Sequence, residues 1–419
     1  MKLKTTLGLI TLAIAGAAWW LTAPPDYIKS APAYRMGELS AQMQAARDEQ
    51  PLVSEVSGLD LPGHDDVLVD EGSGQAYITA RDGWFWKQDV ASGKAERFVQ
   101  TPLIPAGARF FPGDHNRILF CNMHLYGFTP ADPQAKVGVY ELNIADKTVK
   151  PLLLRVPKSP PLNPSAELGT VQPLGKGTLA MDAMTDTNSR PINFCNDLEI
   201  SQDGKRVYMS EPYDYPGAAM GEGSFREAVS LGNNGRLWLF DLEQGTAQLV
   251  VQDLHFVDGI LVDRGSEDEQ GIERSVVISE TPKFRVLRLF VSGEKAGTAE
   301  ILQEGLPGMP DGISRDEQGR LYLALFAPRT PIATWLHANP WLKPLILRLP
   351  HKLFTGQTST GFVVLDPTGK QVLYWQMHDG SQVRALSKVL PERDAIYLAS
   401  FATDNQGVHR IDYPPSLKD

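Results

Sequence analysis

Short runs of alternating or β-branched hydrophobic residues, separated by turns rich in Gly, Asp, Asn and Pro, dominate the chain from Val53 onward. Examples are residues 74–89, 204–211, 235–251, 274–291 and 319–326. Period-two alternation bounded by such turns is typical of β-strands, and few long helical periodicities compete with it. The pattern therefore predicts an all-β body.

A unit recurs along this body, in which an Asn or Asp precedes an aliphatic strand and a polar turn leads into a second strand. Copies lie at 64–80, 195–211, 257–280 and 310–326, with a degenerate copy at 105–122 and a sixth hairpin at 384–401. Spacings of roughly 40 to 70 residues fit the four-stranded blades of a β-propeller. The sequence therefore predicts a six-bladed β-propeller over 53–415, in which a strand near Val53–Val56 completes the last blade.

The N-terminus carries an uncharged run, Thr5–Ala23, directly behind two lysines. As a helix this run would span roughly 28 Å, just enough to cross a bilayer. The preceding positive charge favours a signal-anchor over residues 1–23, with the propeller on the extracytoplasmic side of a membrane. Small residues at Gly16–Ala18 leave a cleaved signal peptide open, which would give a secreted or periplasmic protein. Residues 24–52 are predicted to form a tether with a short helix.

The charge and the cysteine content of the chain argue against several classes of protein. Fifty acidic residues against 40 basic residues give a formal charge of −10, which argues against a nucleic-acid surface and suits a cationic ligand. Two cysteines, Cys121 and Cys195, exclude a disulfide-dense scaffold and a zinc site built from cysteines alone. A bridge between them is geometrically conceivable, but we favour free buried thiols.

The Asn and Asp residues that open the repeats predict a metal site. Inner strands of a propeller start at the same end of the central tunnel, so equivalent positions of different blades converge on the axis. These positions carry Asp65, Asn196, Asp258 and Asp311. Three carboxylates and one amide oxygen form a hard-oxygen set that suits Ca²⁺. For any one of these residues alone, turn capping is the alternative.

Several ordered segments resemble the strictosidine synthase-like family and its wider relatives, the paraoxonases and the senescence marker protein/gluconolactonase enzymes. The resemblance covers about Val53 to Tyr413 and is strongest from Asn193 to Leu349. The segments are INFCNDLEISQDGKRVYMSEPY, LHFVDGILVD, ISETPKFRVLRLFVSG, GLPGMPDGISRDEQGRLYLALF and NPWLKPLILRL.

The resemblance implies a calcium ion in the tunnel and hydrolysis of esters or lactones at its mouth. Asp65 stands where those enzymes place a Glu ligand, and Asp258 stands where most have Asn. Asn196 and Asp311 match the family's ligands in blades three and five. Two further carboxylates, Asp66 and Asp197, look like the pair that holds a second calcium in paraoxonases, with turn capping as the alternative.

Candidates for the general base also come from the resemblance. Paraoxonases place a histidine pair above the metal, and in this chain the first position falls at Ala106 and the second at His124. His378, in QMHDG, is similar to a family turn before blade six. Gluconolactonase-like relatives use a metal-bound Asp, which assigns the role to Asp311.

We therefore expect a calcium-dependent arylesterase or lactonase whose partners are a small-molecule ester or lactone and, through the N-terminal helix, a membrane. A non-catalytic binding propeller with a structural metal and a metal-free condensing enzyme are the alternatives. The insertion at 326–354, with Trp335 and Trp341, is predicted to form a hydrophobic cover at the tunnel mouth, with packing against the propeller side as the alternative.

Overall fold

Six antiparallel sheets, five of four strands and one of six, surround one axis in the computed structural model of the chain, which describes residues 16, 20–28, 31–130, 132–263, 267–268, 271–354, 358–404 and 407–418. Inner strands of successive blades contact one another, and the inner strand of blade six contacts that of blade one. The predicted six-bladed β-propeller is confirmed.

Every blade has four strands, ordered from the axis outwards. The strands are His64–Asp70, Gln75–Ala80, Trp84–Asp89 and Ala95–Gln100 in blade one; Ile104–Phe111, Asp114–Met123, Gly138–Asn143 and Thr148–Leu153 in blade two; Leu198–Ile200, Arg206–Glu211, Gly235–Asp241 and Thr246–Leu254 in blade three; Val257–Val262, Ser275–Glu280, Arg285–Phe290 and Thr298–Gln303 in blade four; Gly308–Arg315, Leu321–Pro328, Thr360–Leu365 and Val372–His378 in blade five; and Leu386–Pro391, Ile396–Ser400, Val408–Ile411 and Glu55–Ser57 in blade six.

The ring is closed by a strand from the N-terminal side of the body, as the sequence predicts. Glu55–Ser57 pairs antiparallel with Val408–Ile411 and so supplies the outermost strand of blade six. Residues from the two ends of the propeller therefore share one sheet.

Blade three carries additional pairing. Thr170–Val171 and Leu179–Ala180 pair with its outer strand, and Arg155–Pro157 forms a separate two-stranded sheet with Ser189–Pro191. Short 3₁₀ turns lie at Met181–Ala183, Thr281–Lys283, Pro340–Leu342, His351–Phe354 and Pro415–Leu417.

Near-continuous apolar strands are explained by burial on both faces. In the third strand of blade three, Leu237 and Leu239 pack in a cluster with blade four, whereas Trp238 and Phe240 pack in a cluster with blade two. Successive side chains of a strand point to opposite faces of the sheet. A blade packed between two neighbouring blades therefore needs hydrophobic residues at both the odd and the even positions of its strands.

From residue 31 onward, the described residues form four α-helices outside the sheets: α1 (Ala41–Ala45), α2 (Glu222–Ser230), α3 (Pro331–Ala338) and α4 (Lys343–Ile346). The strands of blade three and blade five reach the same end of the propeller before α2 and α3, so both insertions lie at that end. We call it the upper face.

The segment before the propeller packs along its side. Ser40 caps α1 by accepting a hydrogen bond from the Met43 amide, and Met43 is fully buried in a cluster with strands of blades four and five. The Trp375 indole donates to the Met43 carbonyl. Residues 40–48 are therefore fixed to the outside of blade five.

Most of the predicted N-terminal hydrophobic helix, Thr5–Ala23, lies outside the described residues. Among the residues that the structure does describe, no helix combines the length and the apolar character needed to cross a membrane.

The expectation of free thiols is wrong, because Cys121 and Cys195 form a disulfide between blades two and three, with their Cα atoms 5.2 Å apart. Cys195 directly precedes Asn196, so the bridge fixes the backbone that leads into the tunnel. Disulfides form and persist in oxidising compartments, in line with the predicted extracytoplasmic location.

The disulfide gives the first prediction. Denatured full-length protein should show no titratable thiol without reductant and two thiols with it. Cys121→Ala should lower the free energy of unfolding by about 2 to 4 kcal/mol, because a 74-residue separation no longer restricts the unfolded chain. Equal thiol counts with and without reductant would contradict the bridge.

Candidate metal centre

Each inner strand enters the tunnel from the upper face, and in five blades a register shift interrupts its pairing near this entry. The shifts lie between His64 and Val67, Pro105 and Ala108, Val257 and Ile260, Pro310 and Ile313, and Leu386 and Lys388. Such bulges change the direction in which side chains point. They allow two successive residues of a blade to face the axis.

Side-chain hydroxyls of the second strands bind backbone amides where the inner strands enter the tunnel. Thr79 accepts from the Asp66 amide at 2.8 Å, Ser210 from the Asp197 amide at 3.0 Å, and Ser279 from the Gly259 amide at 2.8 Å. Buried amides need a partner, so these hydroxyls stabilise the backbone that carries the site.

The first of the two axial positions forms the upper ring. Its members in blade order are Asp65, Ala106, Asn196, Asp258, Asp311 and Ser387. The amide of Asn196 donates to the Asp258 carboxyl, which also shares a hydrogen bond with Asp311. Asn196 and Asp258 are buried, while Asp65 and Asp311 are partly exposed. The structure thus brings the four predicted ligands to one end of the tunnel.

Burial raises the pKa values of the upper-ring carboxyls, and Lys388, which lowers the pKa of Asp65 and of Asp258, does not offset this rise. Burial, followed by the neighbouring aspartates, raises the pKa of Asp65 and of Asp311 well above the usual range. Burial and the charge of Asp197 raise the pKa of Asp258 to about 7. A nearby cation would favour the ionised forms and lower all three pKa values.

The second axial position forms the lower ring, with members Asp66, Gly107, Asp197, Gly259, Gly312 and Lys388 in blade order. The glycines make room for the charged side chains. A Cβ on Gly107 would lie 2.3 Å from the Asp197 carboxylate, and one on Gly312 would lie 2.6 Å from the Lys388 side chain. Side chains at either position would collide with the ring.

Arg109 and Lys388 hold the lower ring together. The Arg109 guanidinium lies 3.0 Å from the Asp66 carboxylate, 3.4 Å from that of Asp197 and 2.7 Å from that of Glu199. The Lys388 ammonium lies 3.5 Å from Asp197 and 3.8 Å from Asp66, and its side chain is 6% exposed. Burial alone would raise the pKa of Asp197, but Arg109 and Lys388 outweigh it and lower that pKa.

These ion pairs change the interpretation of Asp66 and Asp197. Both carboxylates already have guanidinium and ammonium partners, which a second calcium at this pair would have to displace, so our proposal below does not include one. Sequence reasoning missed Arg109, Glu199 and Lys388. Aligning the inner strands would have found Lys388, since it follows Ser387 as Asp66 follows Asp65.

The predicted histidines lie away from the upper ring. His378 ends the outermost strand of blade five, and its Nδ1 atom accepts from the Gly380 amide at 3.2 Å. His124 is exposed beyond the second strand of blade two. Burial lowers the pKa of both, and no aspartate of the ring contributes to either shift. The structure therefore brings neither histidine to the four predicted ligands.

Two observations test whether a cation fits the upper ring. Among the described residues, the Asn196 Oδ1 atom is buried and accepts no hydrogen bond. Five aspartates and Glu199 face three cationic side chains, which are Arg109, Lys388 and the more distant Arg81. Burial lowers the pKa of Arg81, and the charge of Asp65 acts in the opposite direction. Buried acidic charge therefore exceeds buried basic charge, and the donor set fits a hard divalent cation.

The side chains are not already in a ligating arrangement. In the part of the chain that is described, no three His, Cys, Asp or Glu side chains stand together as a metal site. Asp258 and Asp311 share a hydrogen bond, so a cation bound by both carboxyls would have to displace the proton between them.

The insertion of blade five lies at this end of the propeller. Leu347, which follows α4, belongs to the same hydrophobic cluster as Phe194, Phe256 and Phe401. Phe194 and Phe256 stand two residues before Asn196 and Asp258. Trp335 and Trp341 are exposed, and a hydrophobic cover over the tunnel mouth stays a prediction.

Comparison with known proteins supports the resemblance found in the sequence. The chain is 28% identical over 244 residues to Protein STRICTOSIDINE SYNTHASE-LIKE 10 of Arabidopsis thaliana, a match to 56% of this chain and 62% of that protein. It is 33% identical over 178 residues to Adipocyte plasma membrane-associated protein of Danio rerio, a match to 42% of this chain and 40% of that protein. These matches span less than two thirds of each relative, and no family profile matches the chain.

Solved structures support the fold. A gluconolactonase from Xanthomonas campestris superimposes with a TM-score of 0.52 at 12% identity, over 92% of this chain and 98% of that one. A luciferin-regenerating enzyme gives 0.50 at 11% identity, over 87% and 96%. At such identities the likeness concerns architecture alone.

The lower ring gives the second prediction. Lys388→Met keeps the side-chain length but leaves Asp66 and Asp197 with Arg109 alone. In a chelating buffer, so that no divalent cation replaces the ammonium, the free energy of unfolding should fall by about 3 kcal/mol or more. Denaturant unfolding measures it, and the exposed control Lys150→Met should stay within about 0.5 kcal/mol of the unmodified protein. A Lys388→Met protein of full stability would refute the proposed role of the lysine.

Proposed function

We propose that the chain is a calcium-dependent hydrolase of esters or lactones, with the ion held by Asp65, Asn196, Asp258 and Asp311. The observation that carries the proposal is the excess of buried carboxyl groups in the upper ring over the cations that face them. Burying like charges together is costly unless a cation offsets them.

The donor chemistry favours calcium over the softer metals. Ca²⁺ takes six to eight oxygen ligands in flexible geometry, and carboxylates and amide oxygens are among its usual ligands. The Oδ1 atom of Asn196 and the carboxylates of Asp65, Asp258 and Asp311 are such oxygens. Binding requires Asp258 and Asp311 to give up the proton they share, so calcium uptake should release a proton.

The proposed hydrolysis needs an ion that polarises the substrate carbonyl and a side chain that accepts a proton from water. Bound calcium would polarise a substrate carbonyl and stabilise negative charge on its oxygen. Asp311 is the candidate proton acceptor from an attacking water, because its carboxyl is partly exposed at the tunnel end and would be ionised beside a bound cation. In the metal-free protein, Asp258 positions Asp311 through their hydrogen bond. The predicted cover formed by the insertion would exclude bulk water from the reacting carbonyl.

The location of the protein is part of the proposal. The disulfide, the uncharged run behind two lysines and the relatives named for plasma-membrane association all favour an extracytoplasmic protein bound to a membrane. The small-molecule partner is then an ester or lactone met outside the cytoplasm.

Asp311→Asn gives the third prediction. The substitution keeps the shape and one oxygen but removes the charge and the proton acceptor. Turnover of phenyl acetate or of an accepted lactone should fall at least about a hundredfold in kcat, comparable to the loss of an oxyanion donor. Calcium affinity, measured by titration calorimetry, should fall in parallel.

The control is Asp146→Asn, an exposed aspartate in a turn of blade two, which should leave both quantities unchanged. Full activity in Asp311→Asn, or in chelated protein shown to be free of metal, would refute the mechanism. A protein that binds calcium but turns over no ester or lactone would instead favour a binding propeller.

Calcium addition gives the fourth prediction. An ion that ties four blades together binds the folded state alone, so calcium at about a hundred times its Kd should add about 2.7 kcal/mol of stability. The midpoint of thermal unfolding should rise with calcium and rise less with magnesium, which demands a tighter octahedral site. Equal shifts with both ions, or no shift, would contradict a selective site.

A further inference from the structure

The exposed apolar side chains of the described residues are concentrated in one region. Nine of the fifteen large hydrophobic residues that are exposed belong to residues 20–21 and 332–354. They are Trp20, Leu21, Ile332, Trp335, Trp341, Leu345, Leu349, Leu353 and Phe354. Single exposed apolar side chains are normal on a soluble surface, whereas a concentration of them marks an interaction site. We call these nine side chains the apolar face.

The two segments of the apolar face are in direct contact. The Arg348 guanidinium donates to the Ala23 carbonyl at 2.8 Å and lies 4.7 Å from the centre of the Trp20 ring. The Tyr27 hydroxyl donates to the Leu347 carbonyl at 3.3 Å. The end of the uncharged run Thr5–Ala23 is therefore joined to the insertion of blade five.

Buried polar contacts fix the insertion to the propeller. The fully buried Lys343 donates to the Pro32 carbonyl at 2.6 Å and to the Ser230 carbonyl, at the end of α2, at 3.1 Å. The Tyr34 amide donates to the His337 carbonyl at 2.8 Å. Three separate parts of the chain meet at this point, so the apolar face is held by the folded domain.

We propose that the apolar face rests on a lipid bilayer, so that the upper face of the propeller and its tunnel mouth point toward the lipid. The 19-residue uncharged run, which is long enough to cross a bilayer, ends within this face. Wherever that run enters lipid, Trp20 and the insertion joined to it come to the membrane surface. Tryptophans are favoured at this interface, and an arginine beside them suits the headgroup region.

A second copy of the chain is the competing occupant. The bilayer is favoured because the uncharged run brings lipid to this face, whatever the oligomeric state. The proposal concerns orientation and rests on the membrane-bound location proposed above, but it does not depend on calcium or on hydrolysis.

Site-directed labelling tests the orientation in the full-length chain. The two native cysteines are joined in a disulfide, so one introduced cysteine is the only free thiol to label. Ile332→Cys and Leu353→Cys report on the apolar face. Val53→Cys is the matched control, because Val53 is 80% exposed, Ile332 is 76% exposed, and Val53 precedes the closing strand at the opposite end of the propeller.

Each variant is labelled with an environment-sensitive nitrobenzoxadiazole dye and reconstituted into phosphatidylcholine vesicles. Dyes at 332 and 353 should be quenched several-fold more by doxyl-labelled lipid than the dye at 53, and several-fold less by aqueous iodide. Iodide quenching at 332 and 353 equal to that at 53 would overturn the proposal. Shielding from iodide without quenching by doxyl lipid would also overturn it and would assign the face to a second copy or another protein.

Discussion

Convergence of like charge on one axis is the constraint on which the rest of the structure depends. Six inner strands enter the tunnel from the same end, so each acidic residue at an entry position approaches the acidic residues of other blades. The backbone bulges, the hydroxyls that bind their amides and the glycines of the lower ring all serve to pack these charges closely. The hydrophobic blades alone would not require any of them.

The two rings meet this constraint in different ways. In the lower ring, Arg109 and Lys388 supply positive charge from the chain itself, so this ring needs no bound cation. In the upper ring the acidic groups keep their raised pKa values and share a proton. The ion-paired carboxylates and the proposed calcium ligands are thus separated by one residue along the inner strands of blades one and three.

Strand spacing and turn residues are sufficient to predict the blades, the closing strand and the convergence of Asp65, Asn196, Asp258 and Asp311 at one end of the tunnel, because each follows from local pattern and radial repetition. Alignment of the inner strands could have placed Lys388 beside the aspartates, but the role of Arg109 depends on contacts between blades, which spacing does not encode. The disulfide is misjudged for the same reason. His124 and His378 are predicted as general bases from short stretches of sequence similarity. Such stretches do not show that the strand ending at His378 is the outermost strand of blade five, far from the axis.

The closing strand has a consequence for how the protein is made. Glu55 and its partner Arg410 are 355 residues apart, so blade six stays incomplete until almost the whole propeller has been synthesised. Until then blade one lacks its neighbour and a sheet edge remains open, which is the kind of surface that pairs with other chains. Contacts so distant in sequence also form slowly. A chain exported during synthesis would therefore reach its destination before its ring had closed, and would depend there on protection from aggregation.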